Sequence, residues 1–330
     1  MVHKGFDDAV PLKNMSIYES VRAVTGASGD GHVDWGAVTQ AARASTTPGT
    51  VNVDAAEREA YTTDVRDARD RVRSVTGLKF DLPDQIEVQN RHHWLTANIG
   101  TFERVLGPLE QEVGQIPGIA RVLNTGSMAV SLSYLSQQVL GQYDPLLLAQ
   151  GDAHALYFVR PNIVRAADSL GVPYDRFRRW IAFHEVTHAA EFGAAPWLPA
   201  HLEERMQHAV SKLAAGSIDR GALNKLNVTM TAVEGYAELV MDRAFDEKYA
   251  DLRQKLDERR QGRGPVEQLL RRLLGLSVKR RQYERGKSFF DTVVEARGLP
   301  AAGRVWDGPE TLPTDDELDD PHAWLERVDA

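Results

Sequence analysis

A mainly α-helical chain with a small β-sheet, an α+β architecture, is what the sequence predicts, and three observations predict it. Beyond Asn162, apolar residues recur at helical spacing in one segment after another. Only two short runs have the β-branched and aromatic character of strands. Hydrophobic residues make up 42% of the 330 and charged residues 26%, a balance that buries a large core and is typical of chains that fold in water.

Residues 1–50 hold glycine and serine clusters, Gly26 to Gly31 and Ala44 to Gly49, around one short amphipathic piece, and read as a loosely packed N-terminal leader. Residues 51–330 read as a single domain. Asp54 offers an N-cap to a helix in which Ala55, Tyr61, Val65, Ala68, Val72 and Val75 recur at helical intervals, and Gly77 ends it. Residues 86–89 form a short strand. A helix follows over 91–106, with Trp94, Leu95, Ile99 and Phe102 on one face. The stretch 120–141 mixes Gly126 and several serines with apolar residues, a composition suited to a closely packed, buried helix. Residues 155–159 read as a strand, and Pro161 just beyond them favours the edge of a sheet. Helices then follow over 174–192, 198–215, 226–250, 266–274 and 278–297, separated by signals such as Gly193, Pro196, Gly216 and Gly262. The tail from Gly303 is acidic, yet Trp306 and Trp324 should pack it onto the body.

Charge and composition narrow the chemistry. A formal net charge of -8 argues against the broad basic surface that nucleic acid requires, so no nucleic-acid partner is expected. With no cysteine, disulfides and thiolate metal sites are excluded, and any metal must be held by His, Asp or Glu. The first eight residues lack an apolar signal region and no stretch approaches a membrane span, so a cytoplasmic protein without membrane association is expected.

The chemistry-bearing segment is Phe183-His184-Glu185-Val186-Thr187-His188. Two histidines four apart on a helix stand one above the other and reach one metal ion. Nothing around them breaks a helix, and Trp180, Ile181, Ala182, Ala189 and Ala190 make it apolar. In this H-E-x-x-H pattern the neutral imidazoles bind zinc at about 2.0 to 2.1 Å, while the carboxylate between them is a general base rather than a ligand. That assigns His184 and His188 as metal ligands and Glu185 as the base. The pattern arises by accident in about a few per cent of chains this long. Its weight therefore rests on the helical context and on a third ligand downstream.

The best third ligand is Glu234, in Ala232-Val233-Glu234-Gly235-Tyr236-Ala237-Glu238, where Gly235 lets another backbone approach. Glu238, one turn on, is placed to accept the second ring N–H of a liganding histidine. The apolar neighbours Val233, Leu239 and Val240 bury this helix, and carboxylates on such a helix need partners. His201, Glu203, Glu204 and His208 remain open as other ligands. His92, His93 and His154 read as ordinary histidines. Tyr236 and Tyr283 are candidates for donating a hydrogen bond to an oxyanion.

These residues resemble a known family. The segment from Trp180 to Ala189, the later Val233-Glu234-Gly235-Tyr236-Ala237-Glu238-Leu239, and Leu273-Leu274-Gly275-Leu276 with Arg281-Gln282-Tyr283 are similar to zincin-like zinc metallopeptidases of the actinobacterial type. Members of that group also carry a coenzyme-biosynthesis-associated label. Asn90 to Asn98, Leu156 to Asn162 and Pro309 to Pro313 extend the resemblance from about residue 50 to the end. It implies one mainly helical zincin-like domain with His184 and His188 as ligands, Glu185 as base and zinc as cofactor. The Glu-Gly pair supports Glu234 by similarity to glutamate-type zincins, although it follows His188 at a longer interval than is common there. It further implies that the strand over 155–159 is a sheet edge on which an extended peptide aligns.

Two function classes follow. One is a zinc-dependent hydrolase, a metallopeptidase acting on a peptide or protein, in which Glu185 takes a proton from water. The other is a zinc-containing binding or scaffold protein whose site is closed or does not turn over.

Overall fold

Tyr61, Val65, Ala68 and Val72 form one apolar stripe, the stripe the sequence predicts, and it is buried against the helix that carries the two motif histidines. The computed structural model describes residues 12–26, 32–112, 118–144, 155–214, 219–245, 249–261 and 278–329. In chain order these hold α1 (Leu12–Thr25), α2 (Trp35–Ala44), α3 (Ala55–Thr76), β1 (Gln85–Gln89), α4 (Arg91–Glu112) and α5 (Gly118–Ser136). There follow β2 (Gly141–Asp144), β3 (Ala155–Val159), α6 (Arg160–Leu170), α7 (Tyr174–Ala194), α8 (Leu198–Ala214), α9 (Arg220–Ala244) and α10 (Ala250–Gln261). The chain closes with α11 (Val278–Arg297), α12 (Leu299–Gly303), two single 3₁₀ turns, α13 (Asp315–Asp319) and α14 (Pro321–Asp329). The chain is thus mainly helical with one small sheet. The expected helix over 266–274, the segment Leu273 to Leu276, His154 and the side chain of Tyr283 lie outside the described residues.

The helices start and stop where local chemistry dictates. Asp54 accepts the Glu57 N–H at 2.7 Å and begins α3, whose last turn closes on Gly77. Asp219 caps α9 in the same way through the Ala222 N–H at 3.0 Å. The tail packs on the body as expected: Trp306 and Trp324 are buried, and the Trp324 indole N–H donates to the Thr311 carbonyl at 2.8 Å. No helix among the described residues is long and apolar enough to cross a membrane.

The sheet departs from the sequence reading in two ways. Its order is β1-β3-β2, with β1 parallel and β2 antiparallel to β3. Residues 155–159 are therefore the central strand and not an edge. Pro161 misleads because it belongs to the first turn of α6, where a missing N–H costs no hydrogen bond, rather than to a solvent-facing strand. Secondly, the helix expected over 120–141 ends at Ser136, and Gly141 to Asp144 turn back as strand β2. That helix is also only half-buried, since Leu123 and Val130 stand exposed.

The core has two parts. The larger one surrounds α7 and α9 and includes Phe158, Phe177, Phe183, Tyr236, Phe289, Phe290 and Trp306. The smaller one joins α1 and α2 to α4 and α5 through Val38, Ala41, Trp94, Leu95 and Leu132. Within the stretch read as a leader, Val38, Ala41 and Ala42 of α2 are buried in this part.

Two contacts fix the helices around the site. Asp64 on α3 receives Arg178 at 2.8 Å and Arg179 at 3.2 Å, so the buried carboxylate ties α3 to α7. On the other side α9 crosses α11 backbone to backbone. A Cβ at Gly235 would lie 2.5 Å from the Cα of Gly286, and one at Gly286 would collide with the Thr231 carbonyl oxygen. Both atoms belong to helix backbones that cannot yield locally. Gly286→Ala is expected to cost about 1 to 3 kcal/mol through overpacking. Gly100→Ala on α4, with nothing near its Cβ, should be neutral or stabilising. Denaturant titration of the two variants beside the wild type checks the contrast.

Candidate active site

Helix α7 is apolar on almost every face. Phe177, Ile181, Ala182, Phe183, Val186, Ala189 and Ala190 are all buried, which places the helix inside the larger core. The remaining face carries His184 and His188, whose rings stand 4.6 Å apart at 78° with their Nε2 atoms separated by 3.3 Å. Across from them runs α9, in which every residue from Thr231 to Met241 is buried. Its Glu234 reaches the same point. One donor atom from each of His184, His188 and Glu234 lies within 4.8 Å of the other two, and among the described residues this is the group of three that converges so.

The tautomer of His188 follows from its other nitrogen. Nδ1 lies 2.8 Å from Oε2 of Glu191, a fully buried carboxylate one turn on in α7. With the proton on Nδ1 donated to Glu191, Nε2 presents a lone pair toward His184 and Glu234. Burial alone would lower the His188 pKa, but the carboxylates of Glu191, Glu234 and Glu185 outweigh it and raise the imidazole above its ordinary value. Burial also lifts Glu191 above the usual carboxylate range, against the pull of His188. These acids and two imidazoles crowd one buried site. Such a donor set suits a divalent cation, whose charge offsets that of the carboxylates, and nitrogen with oxygen donors fits zinc.

Glu185 faces a different neighbour. Its Oε2 accepts the backbone N–H of Tyr143 on β2 at 3.0 Å. The carboxylate is 6% exposed and borders a cavity of about 300 Å³ whose lining includes His184, Trp180, Gly141 and Glu238. Gly141 makes room for it: a Cβ there would fall 2.6 Å from Cγ and 2.7 Å from Oε1 of Glu185. Strand β2 therefore sets the position of this side chain by one hydrogen bond and one absent methyl group.

Other residues singled out in the sequence have different partners from those expected. Glu238 pairs with Arg253 of α10 at 2.7 Å. The residue on Nδ1 of His188 is Glu191, absent from the sequence reading although a glutamate three residues after His188 on the same helix face is a readable signal. Tyr236 is packed edge-on against Phe290 and Trp306, with centroids 5.4 Å away in each case, and does not line the cavity. Burial raises its pKa further. His201 stands edge-on to Trp197, Glu203 accepts from Gln207 at 3.0 Å, Glu204 is exposed, and His208 lies 3.7 Å from Asp219. None of these four joins the converging group. His92 meets the Thr46 carbonyl oxygen at 2.6 Å and His93 is exposed, both as ordinary histidines.

Two outcomes are expected. Glu191→Ala should weaken zinc binding about 10- to 100-fold, the usual effect of removing a partner that orients a liganding histidine, as read by competition with a chromophoric chelator. Gly141→Ala should displace the Glu185 carboxylate and lower turnover about a hundredfold while metal content stays unchanged. Metal analysis in parallel with a peptide hydrolysis assay tests the second.

A family model described as zincin-like metallopeptidase matches residues 33–219 and 209–325. A solved structure from Chloroflexus aurantiacus, described as a candidate hydrolase with a novel fold, is similar at 31% identity and a TM-score of 0.71. The match covers 96% of this chain and 98% of that one. Among curated proteins none matches significantly.

Proposed function

This chain belongs to the zincin-like metallopeptidase family, and on that footing we propose that it is a zinc-dependent hydrolase, a metallopeptidase that uses Glu185 as general base. The observation that carries the reading is the convergence of His184, His188 and Glu234 beside a buried, oriented Glu185. His184 Nε2, His188 Nε2 and a Glu234 carboxylate oxygen would hold the zinc. A zinc ion there supplies Lewis acidity toward a carbonyl oxygen and lowers the pKa of bound water to about 7.

The chain's own residues do the rest. Glu185 takes a proton from the water that attacks the carbonyl carbon. It then delivers that proton to the amine nitrogen as the C–N bond breaks. The Tyr143 N–H holds one carboxylate oxygen still. Glu191 keeps His188 turned with Nε2 inward. At about 300 Å³ the cavity takes a few residues of a substrate, so an extended peptide lying across it is the substrate class that fits. The strand bordering the site is β2 and not β3. A cytoplasmic location belongs to the same reading.

Elemental analysis of purified protein is the first test. The wild type should carry one zinc per chain, and His184→Ala and Glu234→Ala should lose it. Glu185→Gln should keep the zinc and lose turnover by a factor of about 100 or more, because the residue is a base and not a ligand. Absence of zinc from folded, reconstituted wild type would replace this reading with a binding protein. Undiminished turnover in Glu185→Gln would remove the assigned base.

A further inference from the structure

The sheet has two edges, and only one borders the metal site. The other is the outer side of β1, which pairs with β3 alone. Among the described residues, no backbone group of Gln85 to Gln89 has a backbone hydrogen bond outside that pairing. Alternate N–H and C=O groups of this edge are thus open to another chain. An open cleft of about 890 Å³ runs along it between α2, α3 and α4, and it shares no lining residue with the metal cavity.

The cleft has a defined chemistry. Tyr61 contributes its buried floor, while Arg43, Arg58 and His93 stand exposed at its rim, one from each flanking helix. The Arg43 guanidinium meets Thr96 Oγ1 at 3.4 Å, and the side chains of Arg58 and His93 have no ion pair among the described residues. Glu87, the one acidic residue in the lining, accepts the Gln89 amide N–H at 2.7 Å. Gln89 itself is 6% exposed, and its Oε1 has no hydrogen-bond donor among the described residues. A buried amide oxygen in that state is costly unless a donor arrives from outside.

We propose that this cleft binds an extended peptide bearing acidic side chains, laid along β1 as a fourth strand of the sheet. Strand addition would satisfy the outer N–H and C=O groups of β1, and a donor from the peptide would reach Gln89 Oε1. Five residues of β1 span about 17 Å. Carboxylates at alternate positions of the peptide fall on one face, where the guanidiniums of Arg43 and Arg58 offer paired donors. The alternating polarity of a strand edge matches another backbone and not a phosphate chain, and a chain with a net charge of -8 is a poor nucleic-acid binder.

The probes are a fluorescein-labelled heptapeptide Ser-Glu-Val-Glu-Val-Glu-Ser and the same peptide with lysine for glutamate. Anisotropy titrations use the full chain, with peptide integrity followed by mass spectrometry. The wild type should bind the glutamate peptide at least tenfold more tightly, and Arg43→Glu with Arg58→Glu should invert that preference. Both arginines are exposed, and a thermal melt monitors the fold of the double variant. In the unmodified chain, the glutamate peptide should slow amide hydrogen exchange over residues 85–89. Equal affinity for the two peptides, no saturable binding, or binding that leaves the 85–89 amides unprotected would overturn the proposal.

Discussion

The carboxylate of Glu234 reaching from α9 to the two imidazoles of α7 is the contact to which the neighbouring packing is subordinate. A donor atom so placed requires α9 to lie close against α7 and to be fully buried there. Burial of α9 leaves its opposite face to be covered as well, and α11 covers it. The next residue along the chain shows how tightly. Gly235 meets Gly286 with no space for a methyl group, so the backbone of α11 presses on α9 directly behind the site. A side chain at either position would push α9 off its track, and the third donor with it. The pairing of Asp64 with Arg178 and Arg179 performs the complementary task for α7, on the face away from the histidines. Removing one partner of such a buried pair would leave an uncompensated charge at a cost of about 3 to 5 kcal/mol, so the pairing fixes the register of α3 on the motif helix.

Four carboxylates stand near these imidazoles, and their partners separate their roles. Glu191 is fully buried and is held by the Nδ1 of His188, so it orients a ring. Glu238 is neutralised by Arg253 and stands at the cavity wall as half of an ion pair. Glu185 is held by a backbone N–H, which fixes one carboxylate oxygen and leaves the other toward the cavity side. Glu234 is the one that converges on the histidine nitrogens. Residue type alone does not distinguish these acids. Which donor each of them meets does.

Here, too, reading from the sequence reaches its limit. The helices are legible because their caps and periodicity are local: Asp54 and Gly77 bracket α3, and the helix read over 278–297 ends at Arg297 as expected. The two histidines are legible for the same reason, since four residues on one helix fix their mutual geometry whatever the rest of the chain does. Glu234 is singled out by the glycine beside it, and the structure shows that glycine in the close backbone crossing expected of it. Glu191 obeys the same helical rule and is equally readable. The pairing of Glu238 with Arg253 is not, because it depends on how α10 turns back after α9. Strand β2 is just as hidden. Gly141-Gln142-Tyr143-Asp144 has no apolar alternation, and the reason for its glycine lies on α7, across the fold. Pro161 shows the opposite error, a strong local signal with two meanings, strand edge or helix start, between which only the topology decides.

The three-stranded sheet gathers these constraints into one asymmetry. Its antiparallel strand β2 ends the sheet at the metal site, and there the Tyr143 N–H is already engaged by Glu185. That edge is therefore organised inward, toward the chemistry of a single side chain. The parallel strand β1 ends the sheet on the far side of β3, with arginines and a histidine around it and no backbone partner beyond β3 among the described residues. An open strand edge is a liability that proteins cover or blunt, and here neither a proline within β1 nor a lysine on it does so. With β3 buried between them, the two edges are held at a fixed separation of about 10 Å. A segment bound along β1 and a substrate at the metal site would thus be presented on one rigid element.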